Sequence, residues 1–88
     1  MKRVVNVVEV DGAGLESLLN ERVLLLCMNY FYTGKLVGVN EHFVELEDPA
    51  IVYETGQWSN KKYTDEQCLH TKTFFVRTNA IEAFGVSK

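Results

Sequence analysis

Hydrophobic and polar positions in this chain trade places in short runs, and the runs predict a mainly β fold. Val4 to Val10 is rich in β-branched residues and reads as a first extended segment. Asp11-Gly12-Ala13-Gly14 then breaks it with turn-forming residues. Leu15, Leu18 and Leu19 recur at helical spacing and predict one or two turns of helix ending near Asn20, its leucines capping a core. Val23-Leu24-Leu25-Leu26-Cys27-Met28 is a continuous apolar run, the pattern of a strand buried on both faces.

From Tyr32 the pattern alternates, with Tyr32, Gly34, Leu36 and Gly38 on one face and Thr33, Lys35, Val37 and Val39 on the other. Mid-strand glycines mark bends or close backbone approach, so Gly34 and Gly38 suit a strand curling around a small barrel. Asn40-Glu41-His42 reads as the next turn. Phe43 to Glu47 alternates again, with Val44 and Leu46 inward and Phe43, Glu45 and Glu47 outward. Pro49 cannot donate to a ladder and implies an edge or a sharp bend, after which Ile51-Val52-Tyr53 resumes extended structure. Gly56 to Gln67 is polar and reads as a loop or hairpin tip; Leu69 to Arg77 is a strand, Thr78-Asn79 a turn, and Ala80 to Phe84 a last short strand. The sum is a short N-terminal helix followed by five strands in one small antiparallel barrel, of a length that SH3-like and OB barrels share.

Size sharpens this picture. Eighty-eight residues make one domain, of which residues 1–14 form an N-terminal extension. A chain this short buries only about 60% of its unfolded surface, so burial against sister subunits is an expected supplement. Hydrophobic content of 47% and charged content of 24% fit a globular protein. The net charge of −3 excludes a general electrostatic grip on nucleic acid and leaves room only for a small local site. Met1-Lys2-Arg3 and the run after it lack the small-residue cleavage site of a signal peptide, Asn6 and Glu9 interrupting the apolar stretch. No stretch approaches the roughly 20 apolar residues that span a bilayer. Cys27 and Cys68, far apart in sequence, read as reduced thiols of a cytoplasmic protein.

Two segments add a resemblance. Tyr32-Thr33-Gly34-Lys35-Leu36, running through Val39 and Asn40 to His42-Phe43-Val44-Glu45-Leu46, pairs with Val76-Arg77-Thr78-Asn79-Ala80-Ile81. Together they resemble the two halves of the Sm motif of the Sm-like (LSm/Hfq-type) small barrels, across most of Leu15 to Gly85. Asn40 stands where that motif usually has Asp, and Thr78 where it has Gly. The resemblance implies a strongly bent five-stranded barrel with a helix over one open end. It also implies a closed homomeric ring of about five to seven copies, with the last strand of one subunit paired to the fourth strand of the next. Single-stranded RNA would bind at the ring pore. The apolar edges Thr73-Phe74-Phe75-Val76 and Ala80 to Phe84 agree with such pairing, because left exposed they would aggregate; Phe74, Val76, Ile81 and Phe84 are the candidate interface residues.

For the pore, the resemblance nominates Arg77, Asn79, His42, Phe43 and Asn40. A guanidinium can stack on a base and bond its edge; the alternative for Arg77 is a carboxylate such as Glu82. Asn79 can bond a base or adopt a left-handed turn. His42 and Phe43 can stack on bases without much sequence preference, and an outward Phe can equally fill a subunit interface. Trp58, Lys61, Lys62 and Tyr63 form the one basic and aromatic cluster, offset by Asp65 and Glu66; it is either a solvated loop or a docking point for a protein partner in a ring that has lost RNA binding. No cofactor or metal is implied, since Cys-x-x-Cys and His-x-x-x-His are both absent. Cys68 and His70 share a strand face only, and Glu45, Glu47 and Asp48 are a strand-edge cluster rather than an acid/base pair. The chain is not expected to be an enzyme.

Overall fold

The structure is a computed structural model that describes residues Gly14 to Lys88. The extended segment expected over Val4 to Val10 therefore lies outside the described residues. Six strands follow a single turn of 3-10 helix: β1 (Arg22–Cys27), β2 (Phe31–Val39), β3 (Phe43–Glu54), β4 (Asp65–Cys68), β5 (Thr73–Arg77) and β6 (Ile81–Val86). All pair antiparallel, in the order β4-β3-β2-β1-β6, with β5 on β3.

The mainly β, antiparallel expectation holds, and three details are corrected. The predicted helix is only the 3-10 turn Leu15–Leu18, entered from Gly14 at φ 77° and left at an extended Leu19. Leu15 and Leu18 still pack on the core while Leu19 is exposed; four residues with no side-chain cap cannot nucleate an α-helix. The predicted strand from Leu69 to Arg77 is interrupted. His70 takes a left-handed φ of 56°, the Leu69 N–H donates to the Pro49 carbonyl at 2.9 Å, and Thr71 Oγ1 donates to the Thr73 carbonyl at 3.2 Å. Only Thr73–Arg77 of that segment therefore remains as a strand, β5; the sixth strand, β4, comes instead from the end of the segment expected as a polar loop, Gly56 to Gln67, giving six strands where five were expected. The sheet is also open rather than a closed barrel: β5 pairs only with β3 and β6 only with β1.

Pro49 bends β3 rather than ending it. Residues 43–47 pair with β5 and residues 50–54 with β4. Between them Asp48 has a φ of 51° and the β2 register shifts, so a proline with no N–H costs the ladder nothing. The opposite strand bends at its glycines. A β-carbon on Gly34 would sit 2.9 Å from Leu46 Cβ; one register shift brackets Gly34 and a second falls just before Gly38. Close backbone approach at this crossing requires glycine.

The bend creates two cores on the two faces of β1, as the continuous apolar run predicted. On one face Val23, Leu25, Leu36, Val44, Leu46 and Val76 are buried with Cys27. Each fully buried leucine there contributes about 1.5–3 kcal/mol. On the other face Leu24, Val52 and Tyr63 form a smaller cluster. The polar exception is Thr33, fully buried. It accepts from Arg22 Nη2 at 3.1 Å and donates to Glu66 Oε2, while Arg22 also bonds the Asp48 carbonyl at 3.0 Å. This bridge ties β1, β2, the β3 bend and β4 together.

Candidate nucleic-acid interface

The site begins at the β2–β3 turn. Asn40 Oδ1 accepts the backbone N–H groups of His42 and Phe43, both at 2.8 Å, and the Asn40 N–H donates to the Phe43 carbonyl at 2.9 Å. This is an Asx turn, the local bonding that favours Asn at such positions. Asn40 is thereby a turn-maker whose carbonyl oxygen is committed; only its amide NH2 remains for a ligand.

The β5–β6 connection, the 3-10 turn Thr78–Ala80, is fastened to that turn. The Thr78 N–H donates to the His42 carbonyl at 2.9 Å and its hydroxyl to the Glu41 carbonyl at 2.6 Å. In the sequence Thr78 reads only as a substitute for Gly; in the structure its N–H and hydroxyl together join the two turns. Because Phe43 is also the ladder partner of Arg77, His42, Phe43, Arg77 and Asn79 come to one rim, around a shallow concavity of about 200 Å³. Four residues from turns 35 positions apart are brought together by backbone pairing and one threonine.

The chemistry on this rim is cationic and aromatic. Among the described residues Arg77 makes no ion pair, with Glu82 or any other carboxylate, and it is exposed. His42 Nε2 lies 3.2 Å from Glu41 Oε1, both open to solvent, a contact of little energetic weight. Phe43 is 43% exposed and meets the 59% exposed Phe75 edge-on at 6.4 Å, with the His42 ring 6.5 Å from Phe43. Three rings of this kind can accept a base by stacking.

On the other side of Arg77 and Asn79 lies the gap of the open sheet, a cleft of about 610 Å³ between β5, β6 and the β1–β2 turn. Its wall is aromatic. Tyr32 lies 5.5 Å from Phe74, and Tyr30 stands 6.3 Å from Tyr32 and 6.0 Å from Tyr53. Burial pushes the Cys27 thiol up, helped by Glu82; burial also raises Tyr32, with smaller contributions from Cys27, Tyr30 and Tyr53. The tyrosine group escaped sequence reasoning because its members come from two strands and a turn. Their signal was the aromatic residues on both strands at one end of the β2–β3 ladder.

The interface candidates divide. Phe84 is exposed on β6, while Phe74 and Ile81 are half-buried against the core. Val76 is 6% exposed and belongs to the chain's own interior, since side chains alternate along β5; the outward residue there is Phe75. In the Trp58 loop, Tyr63 is core and Trp58, Lys61 and Lys62 are exposed. Cys27 and Cys68 are free thiols, no group of three metal-ligating side chains occurs among the described residues, and none of their helices is long and apolar enough to cross a membrane.

No protein-family model matches this chain, and no curated protein or solved structure is significantly similar to it.

Proposed function

We propose that the chain is an Sm-like protein that assembles into a homomeric ring of about five to seven copies and binds single-stranded RNA at the shared pore. The observation that carries the reading is the double hydrogen bond of Thr78 to the β2–β3 turn, which holds Arg77, Asn79, His42 and Phe43 on one rim. One copy offers too little surface and too little positive charge to hold a strand; several rims around an axis multiply both.

Two further features support assembly. β5 and β6 each keep one unpaired edge, and these edges carry exposed Phe75, Phe84 and Val86. Exposed apolar edge strands are normally covered, and pairing β6 of one copy with β5 of another would cover both. Stacking on Phe43 and His42 contributes about 1–3 kcal/mol per base and tolerates many sequences. With Asn40 Oδ1 held in its turn, base discrimination falls to Arg77 and Asn79.

Titration of labelled oligo(U) and oligo(A) at low and moderate salt tests the reading. Binding is expected in the micromolar range or below, with affinity falling on the order of tenfold or more in Arg77→Ala, the loss of one charge-assisted contact. Absence of binding by a ring at micromolar protein supports instead a scaffold that docks protein partners through the loop around Trp58, and a Trp58→Ala control in pull-downs reads that alternative.

A further inference from the structure

We propose that the loop around Trp58 is a cage for a primary ammonium group, occupied in the free chain by Lys88 and available to the lysine side chain or alkylamine of a partner when Lys88 leaves. The site is independent of the ring and of RNA. Lys88 Nζ lies 4.7 Å from the Tyr63 ring centroid and 5.3 Å from that of Trp58. The two rings stand at 90°, with centroids 6.3 Å apart, so one cation faces two π-systems. Nζ also donates to the Gln57 carbonyl at 3.0 Å and to the Thr55 carbonyl at 3.4 Å. Two aromatic walls and two carbonyl acceptors give an ammonium group partners on several sides.

The walls are built into the fold. Tyr63 is buried against Leu24 and Val52, and its hydroxyl meets Ser87 Oγ at 3.1 Å. Gly56, between the two acceptor carbonyls, has a φ of 66°, and a β-carbon there would overlap Thr64 Oγ1. Only glycine therefore gives the loop the path that points both carbonyls at one amine. Lys88 is delivered by its neighbour, since the Ser87 N–H donates to the Arg22 carbonyl at 2.9 Å and continues the β1–β6 ladder. Tyr63 is a fixed wall, whereas Trp58 is 57% exposed and leaves the cage open on one side.

The chemistry sets the ligand class. The carbonyls require N–H donors, so a primary ammonium fits both the π faces and the acceptors. A quaternary ammonium satisfies the rings and leaves the carbonyls unpaired. Lys88, an intramolecular occupant at millimolar effective concentration, weakens any external amine by mass action.

Trp58 is the only tryptophan in the sequence, so its emission reports this cage alone. Wild type and Lys88→Ala are titrated with n-butylamine, with an Nα-acetylated tetrapeptide carrying one lysine, and with tetramethylammonium. Lys88 is exposed, so the variant is expected to fold. Lys88→Ala should change Trp58 emission in the free protein and bind n-butylamine on the order of tenfold more tightly than wild type. Tetramethylammonium should bind more weakly than n-butylamine. A peptide tighter than n-butylamine assigns the site to protein lysines, and equal affinities assign it to small amines. In the wild type the Lys88 ε-methylene protons should be shifted upfield by the two rings. An unshifted ε-methylene together with unchanged Trp58 emission and no saturable amine response in Lys88→Ala overturns the proposal.

Discussion

Gly34→Ala is the sharpest test of how the sheet bends. A β-carbon at Gly34 would lie 2.9 Å from Leu46 Cβ and 3.3 Å from both the Glu47 carbonyl oxygen and Leu46 Cδ1. Leu46 is fully buried and Glu47 O belongs to the β3 backbone, so neither can retreat without moving the crossing. Overpacking of this kind costs about 1–3 kcal/mol. Against it, alanine in a strand gains about 0.5–1 kcal/mol over glycine from the unfolded chain. Taking the middle of both ranges, the net expectation is a loss of about 1 kcal/mol, or roughly 4–8 °C in Tm for a domain of this size. Gly38→Ala is the internal control. Its β-carbon would meet only the Glu45 side chain, at 3.3 Å from Oε1, and that carboxylate can swing away. The same substitution four residues along should therefore be neutral or stabilising by up to about 1 kcal/mol. Thermal melts of both variants, at one protein concentration so that assembly does not confound Tm, give the comparison. A Gly34→Ala protein as stable as wild type refutes the close crossing.

Other perturbations follow from the same contacts. Thr33→Val keeps the volume but removes the hydroxyl between Arg22 and Glu66; both partners reach some water, so the loss should be about 1–2 kcal/mol by denaturant titration, and an unchanged midpoint argues against the bridge. Thr78→Val removes the hydroxyl bond to the solvent-exposed Glu41 carbonyl; it should cost less than about 1 kcal/mol of stability yet weaken RNA binding, and unaltered affinity would separate the two turns functionally. The raised Cys27 thiol binds its proton more tightly folded than unfolded. Stability is therefore full below the ordinary thiol value of about 8.5 and declines as pH climbs past it. Tyr32 adds the same sign near its ordinary value of about 10. Melts from pH 8 to 10.5 should show this fall, less steeply in Cys27→Ala; stability increasing over that interval contradicts it.

Periodicity revealed much of this fold because stretches such as the first half of β3 bury one face: Val44 and Leu46 point in and Phe43 points out as alternation requires. The two-sided burial of β1 was equally plain from its unbroken apolar run. Events that depend on single backbone angles were hidden. Nothing in the local pattern announces that His70 turns left-handed and shortens the expected strand to β5, or that Asp65 to Cys68, polar throughout but for its cysteine, pairs with β3; the bend at Pro49, by contrast, is one of the two outcomes a proline there implies. Of the candidate site, Arg77 and Phe43 were visible as residue types, but their proximity depends on ladder register. Thr78 was hidden for a different reason, since its backbone N–H and its hydroxyl matter only through carbonyls 36 and 37 positions away. The Lys88 contact with Trp58 and Tyr63 joins segments that no spacing rule connects.

The central claim is that separate copies complete one another's open sheet and bring their Arg77 rims to a common axis. Native mass spectrometry with light scattering at micromolar protein tests it most directly. The account predicts a single species of about five to seven chains, each contributing 10.0 kDa, that dissociates when a proline in β6 (Ala83→Pro) blocks edge pairing. A monodisperse monomer across that concentration range contradicts it.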